Sequence, residues 1–175
     1  MPTVVIPFAG EGKTRLHASP EVRRALSEAM LTDVAAACAA VGRVEVVTTG
    51  GGQGAAVAAA LAALEPAPLL IVNADLPCVT PADLNALLGA TPALVEAADG
   101  TTNALSLPRA EAFAPLYGVG SAARFRAHLG SGCVTVTLLN LVDDVDTFED
   151  LQRVLSRCGR HTREAFERLP AGAPA

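Results

Sequence analysis

Tryptophan is absent, tyrosine occurs once, and aromatic residues make up only 3% of this 175-residue chain. A chain so short of rings cannot build the stacking platforms on which single-stranded nucleic acid is usually held. Positive charge is short as well. The net charge is −5, which excludes a broad face for a phosphate backbone. No apolar run of about 18 residues is free of charges or breakers, so no membrane span is expected. The start, Met1-Pro2-Thr3-Val4-Val5-Ile6, lacks the basic segment of a secretory leader and reads as a first strand. The four cysteines, Cys38, Cys78, Cys133 and Cys158, form no C-x-x-C pair. Their spacing fits neither a zinc site nor a small disulfide framework, and reduced thiols in a cytoplasmic protein are expected. His17, His128 and His161 are scattered, and no G-x-S-x-G elbow is present, so hydrolase machinery is not visible.

What is present is apolar. Hydrophobic residues make up 51% of the chain and charged residues 18%, enough for one compact domain and too apolar for disorder. The expected organisation is one domain over 1–169 and a frayed tail over 170–175. Among the thirteen basic residues only Lys13 is a lysine, and it sits in a glycine-bearing loop.

Hydrophobic patterning predicts strands at 3–8, 44–48, 69–73, 93–97, 104–107 and 134–139. Helices are predicted over 20–41, 53–64, 121–129, 147–155 and 161–169, and another opens at Thr80. Ser19-Pro20-Glu21 opens the first with a capping serine, a proline at the first helical position and an acid in the first turn. Thr80-Pro81-Ala82-Asp83 and Thr147-Phe148-Glu149-Asp150 repeat that logic. Strands alternating with helices argue for a mostly parallel sheet covered on both faces, with ligands beyond the carboxyl ends of the strands.

Five segments there could carry chemistry. Gly10-x-Gly12-Lys13-Thr14-Arg15 offers backbone N–H groups and two cations to a polyphosphate. It is not a P-loop, because Pro7 replaces the first glycine and the helix signal comes later, at Ser19. Asp75, in Asn73-Ala74-Asp75-Leu76-Pro77, ends a buried strand and suits either a Mg²⁺ ligand or an Asx turn. In Asp143-Asp144-Val145-Asp146, alternate residues Asp144 and Asp146 would point the same way if the segment is extended. Three such acids repel unless a cation or helix dipole offsets them, so a solvated acidic turn is the competing reading. Asp99-Gly100-Thr101-Thr102-Asn103 offers hydroxyls and backbone donors to a small anion, or forms a hairpin turn. Gly118-Val119-Gly120-Ser121 leads into a helix, a natural anion position, with Ser121 as cap, phosphate contact or both.

In this order along the chain, these segments resemble the MobA-like nucleotidyltransferases. Gly12-Lys13-Thr14-Arg15-Leu16, Met30-Leu31-Thr32-Asp33 and Asp75-Leu76-Pro77 carry that likeness. Asp99 to Leu105, Gly118-x-Gly120-Ser121-Ala122-Ala123-Arg124, Asp144-Val145-Asp146-Thr147 and Gly159-Arg160-His161-Thr162-Arg163 narrow it. They resemble the 2-phospho-L-lactate / phosphoenolpyruvate guanylyltransferase family of deazaflavin (F-420) coenzyme biosynthesis. The resemblance implies a three-layer α/β/α Rossmann-like fold of GT-A type with a mostly parallel mixed sheet. It implies transfer of GMP from GTP to phosphoenolpyruvate, 2-phospho-L-lactate or 3-phosphoglycerate, with release of pyrophosphate. By position, Asp75, Asp144 and Asp146 would hold Mg²⁺. Thr102, Asn103, Gly118 and Ser121 would bind the acceptor, and Gly10, Gly12, Lys13 and Arg15 the nucleotide, with Lys13 and Arg15 acting on the triphosphate. The chain departs from the family pattern at Pro7-Phe8, where a basic residue is usual, in a shortened stretch from Thr48 to Gln53, and at Phe125, where a histidine is usual. The alternatives are a transferase of the same fold for molybdopterin or a sugar phosphate, and a nucleotide-binding protein without turnover. Neither a nucleic-acid nor a membrane partner is expected, and a homodimer is compatible with the sequence.

Overall fold

Of the strands predicted early in the chain, those at 3–8 and 69–73 lie inside the sheet, and the one at 44–48 forms an edge. A computed structural model describes residues 1–10, 14–48, 52–63 and 67–169. Its strands are β1 (Thr3–Phe8), β2 (Arg43–Thr48), β3 (Leu69–Val72), β4 (Ala93–Glu96), β5 (Thr102–Leu107) and β6 (Val134–Thr135). They form one sheet in the order β2-β1-β3-β5-β4-β6. β1 pairs in parallel with β2 and β3, and β4 with β6, while β5 runs antiparallel to both its neighbours.

Helices cover both faces. They are α1 (Pro20–Ala39), α2 (Gln53–Leu61), α3 (Pro81–Gly89), α4 (Ser121–Leu129), α5 (Leu139–Val142), α6 (Phe148–Val154) and α7 (Arg160–Glu167). Alternate residues of a strand face opposite sides. Val4 and Ile6 therefore pack with Val34 and Cys38 of α1 and Leu84 and Leu87 of α3. Val5 points the other way, toward Val57 and Leu61 of α2 and Phe125 of α4. Each fully buried aliphatic side chain of this kind stabilises the fold by roughly 1.5–3 kcal/mol. A third cluster lies beyond the sheet, where Leu26 and Met30 of α1 meet Cys78, Val145 and Phe148, Leu151 and Val154 of α6.

The capping signals operate as read. Ser19 Oγ accepts from Val22 N at 3.3 Å, and Pro20 is the first residue of α1. Thr80 with Asp83, and Thr147 with Asp150, form reciprocal capping boxes. α1 ends at Ala39, two residues short of the expected 41. α2 ends at Leu61; the rest of its predicted span reaches residue 64, which lies outside the described residues, as does the predicted tail over 170–175.

One element differs. The strand expected over 134–139 is two residues long, and the chain then turns into α5. β6 is an edge strand with β4 as its one partner. Past Val136, whose N–H donates to Leu94 O, side chains from elsewhere take over the backbone. Asn103 binds the carbonyls of Leu141 and Val142, and Asn140 bridges Asp83 and Arg157. Those captures are tertiary, so local periodicity carried no trace of them.

Candidate active site

β3 is short and wholly apolar, so its polar continuation leaves the sheet at once and carries Asp75 to the carboxyl end of the strands. Asp144 and Asp146 come to the same place from the other side. Val145 N donates to Asp75 O at 3.0 Å and fixes the two segments in register. Val145 itself is buried in the third cluster, so its two neighbours project the opposite way. One carboxylate oxygen from each of Asp75, Asp144 and Asp146 lies within 4.8 Å of the others. Asp143, the remaining acid of the run, turns to Arg153 at 3.0 Å and Arg157 at 2.5 Å. The acidic run thus divides: Arg153 and Arg157 draw Asp143 away, and Asp144 and Asp146 join Asp75.

The antiparallel direction of β5 matters here. Val72 of β3 pairs with Ala104, so the first residues of β5, Thr102 and Asn103, lie beside the segment that carries Asp75. Asn103 donates to Asp144 Oδ1 at 3.4 Å. Burial raises the Asp144 pKa, and the nearby Asp75 charge raises it further, while the Asn103 bond opposes both. Asp146 sits closer to solvent and accepts from Arg15 Nη1 at 3.1 Å. Arg15 follows the glycine loop in a single 3₁₀ turn, Thr14–Leu16, anchored by buried Leu16.

A cleft of about 250 Å³ opens beside the acids. Pro7, Phe8, Ala9 and Gly10 at the end of β1 form one wall, Ser27 and Met30 of α1 another, and Gln53 and residues 73–75 the floor, with Asp146 at the margin. Gly10 has φ +63°, a left-handed turn that favours glycine, and a Cβ there would meet nothing within 4 Å. Gly12 and Lys13 lie outside the described residues. Gln53 and Asn73 are cleft residues that sequence reading did not single out. Gln53 Nε2 donates to Asn73 Oδ1 at 2.7 Å, and Asn73 Nδ2 to Thr102 O at 3.2 Å. The available signal was their position: Asn73 directly follows a buried strand, and Gln53 opens a helix after a glycine run.

The expected acceptor residues lie deeper. Thr102 is 1% exposed and Ser121 fully buried, and Ser121 Oγ donates to Thr102 Oγ1 at 3.0 Å. Ser121 is the first residue of α4 and not its cap. That position belongs to Gly120, whose φ of +70° no serine adopts readily. Gly118 has φ +108°, and the Arg124 guanidinium ties this loop by donating to the carbonyls of Leu116, Tyr117 and Val119. Asp99 closes the β4–β5 turn, accepting from Thr101 Oγ1 at 2.6 Å and Thr101 N at 2.9 Å, and these bonds lower its pKa.

Hard oxygen donors are what a small divalent cation takes. Three carboxylates converging where burial and mutual repulsion penalise negative charge fit such an ion. Together the sheet order, the cleft at the strand ends and the acidic cluster give a three-layer α/β/α fold with a candidate metal site. A solved structure supports the fold: a protein described as a nucleotide-diphospho-sugar transferase, from Desulfovibrio desulfuricans G20, superposes with a TM-score of 0.65 at 15% identity, over 97% of this chain and 91% of that one. No family model matches the sequence. A phosphoenolpyruvate guanylyltransferase of Streptomyces coelicolor is 34% identical over 88% of this chain and 90% of its own. One of Streptomyces scabiei is 35% identical over 58% of this chain and half of its own length. The chain belongs to the phosphoenolpyruvate guanylyltransferase family. Among the described residues, no helix is long and apolar enough to cross a membrane.

Proposed function

We propose that this protein transfers GMP from GTP to a small phosphorylated three-carbon acid, phosphoenolpyruvate foremost, in deazaflavin coenzyme biosynthesis. The observation that carries the reading is the convergence of Asp75, Asp144 and Asp146 beside the β1 cleft, in a chain whose relatives are named for that activity. Residues 1–169 act as one catalytic unit, in the cytoplasm. A phosphate oxygen of the acceptor attacks the α-phosphorus of GTP. The bond to the β-phosphate oxygen breaks, and pyrophosphate leaves. The nucleophile is already an anion, so the site needs no general base.

The task is then to bring two anions together. Asp75, Asp144 and Asp146 would hold Mg²⁺, which supplies positive charge to the α-phosphate and to the leaving group. Lys13 and Arg15 would act on the triphosphate, and Gly10 and Gly12 would belong to the nucleotide loop. The Arg15–Asp146 ion pair keeps the guanidinium at the margin of the acidic cluster before nucleotide arrives. Thr102, Gly118 and Ser121 receive the acceptor's carboxylate and phosphate.

Pyrophosphate release tests this directly. The four nucleoside triphosphates are assayed with Mg²⁺ against phosphoenolpyruvate, 2-phospho-L-lactate and 3-phosphoglycerate, and product masses are read alongside. Release with GTP and one acid, with a guanosine diphosphate conjugate of matching mass, is expected. No release with any pair would remove the reading.

A further inference from the structure

We infer that Asn103 is a positioning residue that brackets two of the three site carboxylates, and that its side chain does not contact the acceptor. The inference rests on the metal-site reading above, since it concerns how that site is held open for an ion.

Asn103 is 2% exposed, in the second position of β5. Its carbonyl accepts from Asn73 N at 3.0 Å, two residues before Asp75. Its amide nitrogen donates to Leu141 O at 2.9 Å and Val142 O at 3.1 Å, and reaches Asp144 Oδ1 at 3.4 Å. One residue therefore holds both carboxylate-bearing segments, one through its main chain and one through its side chain.

The chemistry fixes which way the amide faces. Leu141 O, Val142 O and the Asp144 carboxylate are all acceptors, so only the NH₂ end can meet them. An aspartate at 103 would turn acceptors against acceptors, and an alanine would leave two carbonyls in a buried place without their donor. The same amide closes the carboxyl end of α5, whose last two carbonyls it binds. This also leaves the side chain with no donor to spare for a substrate carboxylate. Ligand-supporting residues of this kind typically change metal affinity by about 10–100-fold when removed.

The test measures metal binding apart from turnover. Mn²⁺ binding to the nucleotide-free protein is followed by electron paramagnetic resonance for the wild type, Asn103→Ala, Asn103→Ser and Asp144→Asn, with thermal melts to verify folding. Asn103→Ser keeps one donor and carries the comparison should the alanine variant not fold. The expected result is roughly tenfold weaker Mn²⁺ binding in Asn103→Ala, a smaller loss in Asn103→Ser, and a matching rise in the Mg²⁺ concentration for half-maximal turnover, with the acceptor KM unchanged. Wild-type Mn²⁺ affinity in the Asn103 variants, with affinity lost in Asp144→Asn, would overturn the bracket and leave the metal site standing. A raised acceptor KM with unchanged Mn²⁺ affinity would overturn it in favour of a substrate contact. Equal affinity in Asp144→Asn and the wild type would overturn the metal site itself, and the bracket with it.

Discussion

Asp33 and Asp144 are both carboxylates drawn into the protein, and they end on opposite sides of the ordinary range. Burial opposes ionisation at Asp33, yet hydrogen bonds from Thr162 and His161 outweigh it and hold its pKa down. The bonds are short: 2.8 Å from Thr162 N, 3.0 Å from His161 N and 2.9 Å to His161 Nδ1. Asp33 thereby caps the start of α7 from a distant helix. Asp144 is also drawn in, but its one side-chain donor among the described residues is Asn103, and Asp75 lies nearby. A carboxylate that builds the fold is surrounded by donors. One that stands in the acidic cluster is left short of them, at a cost in stability that a bound cation would offset.

Breaking the site end of this contrast gives the largest effect. Asp75→Asn keeps the shape and removes the charge, so turnover should fall at least about 10³-fold while circular dichroism stays that of the wild type. Unchanged pyrophosphate release would take Asp75 out of the metal site. Breaking the structural end is next. Asp33→Ala strips α7 of its cap and leaves buried N–H groups unmet, at about 3 kcal/mol, read as a lowered urea midpoint. The pH sign follows from the depressed pKa. Asp33 stabilises fully above its unfolded value, about 3.9, and that contribution is lost as pH falls through the lower folded value. The variant should therefore show a shallower acid limb, and an identical one would refute the cap.

Asp144 has the reverse sign. Its folded pKa is raised, so the folded protein holds the proton longer and stability falls as pH climbs from the unfolded value through the folded one. Asp144→Asn should then raise the melting temperature of the metal-free protein at pH 7 by a few degrees, although it weakens metal binding. A lowered melting temperature would mean that Asp144 is a structural acid like Asp33. The smallest effect on stability belongs to Arg15→Ala. An exposed ion pair is worth about 0–1 kcal/mol, so the melt should barely move. Nucleotide KM should nevertheless rise about tenfold, and a KM equal to the wild type's would detach Arg15 from the triphosphate.

Legibility in the sequence followed the range of the interaction. β1, α1 and the two capping boxes rest on residues within four positions of each other, and patterning found them. The pairing of Asp144 with Asp146 was legible because a buried valine between two acids forces both to one side. Their meeting with Asp75 was not, since it depends on the Val145 to Asp75 bond across the fold, and only the family resemblance anticipated it. Asn103, expected at the acceptor, sits in a segment whose small polar residues suit an anion. Nothing local said that carbonyls 38 and 39 positions away would take its amide. α5 was missed for the same reason. Ser121, expected as cap, phosphate contact or both, is the first helical residue, and the cap position falls to Gly120, which here takes a left-handed turn.

The segment bearing Asp75 is held from later in the chain. Val145 N meets its carbonyl, and Gly159 N donates to Pro77 O at 2.8 Å. Gly159 packs so tightly against the Asp33 carboxyl that a Cβ there would collide with it. On the ribosome, where the chain emerges from its amino end, the sheet strands appear long before these fasteners do. A nascent chain stalled short of residue 159 would thus own most of its core, all three site acids and the Val145 bond to Asp75, yet lack the second fastener, from Gly159 to Pro77. The loop that carries Asp75 would then gain its second anchor only as residue 159 emerges, well after the strands that frame it.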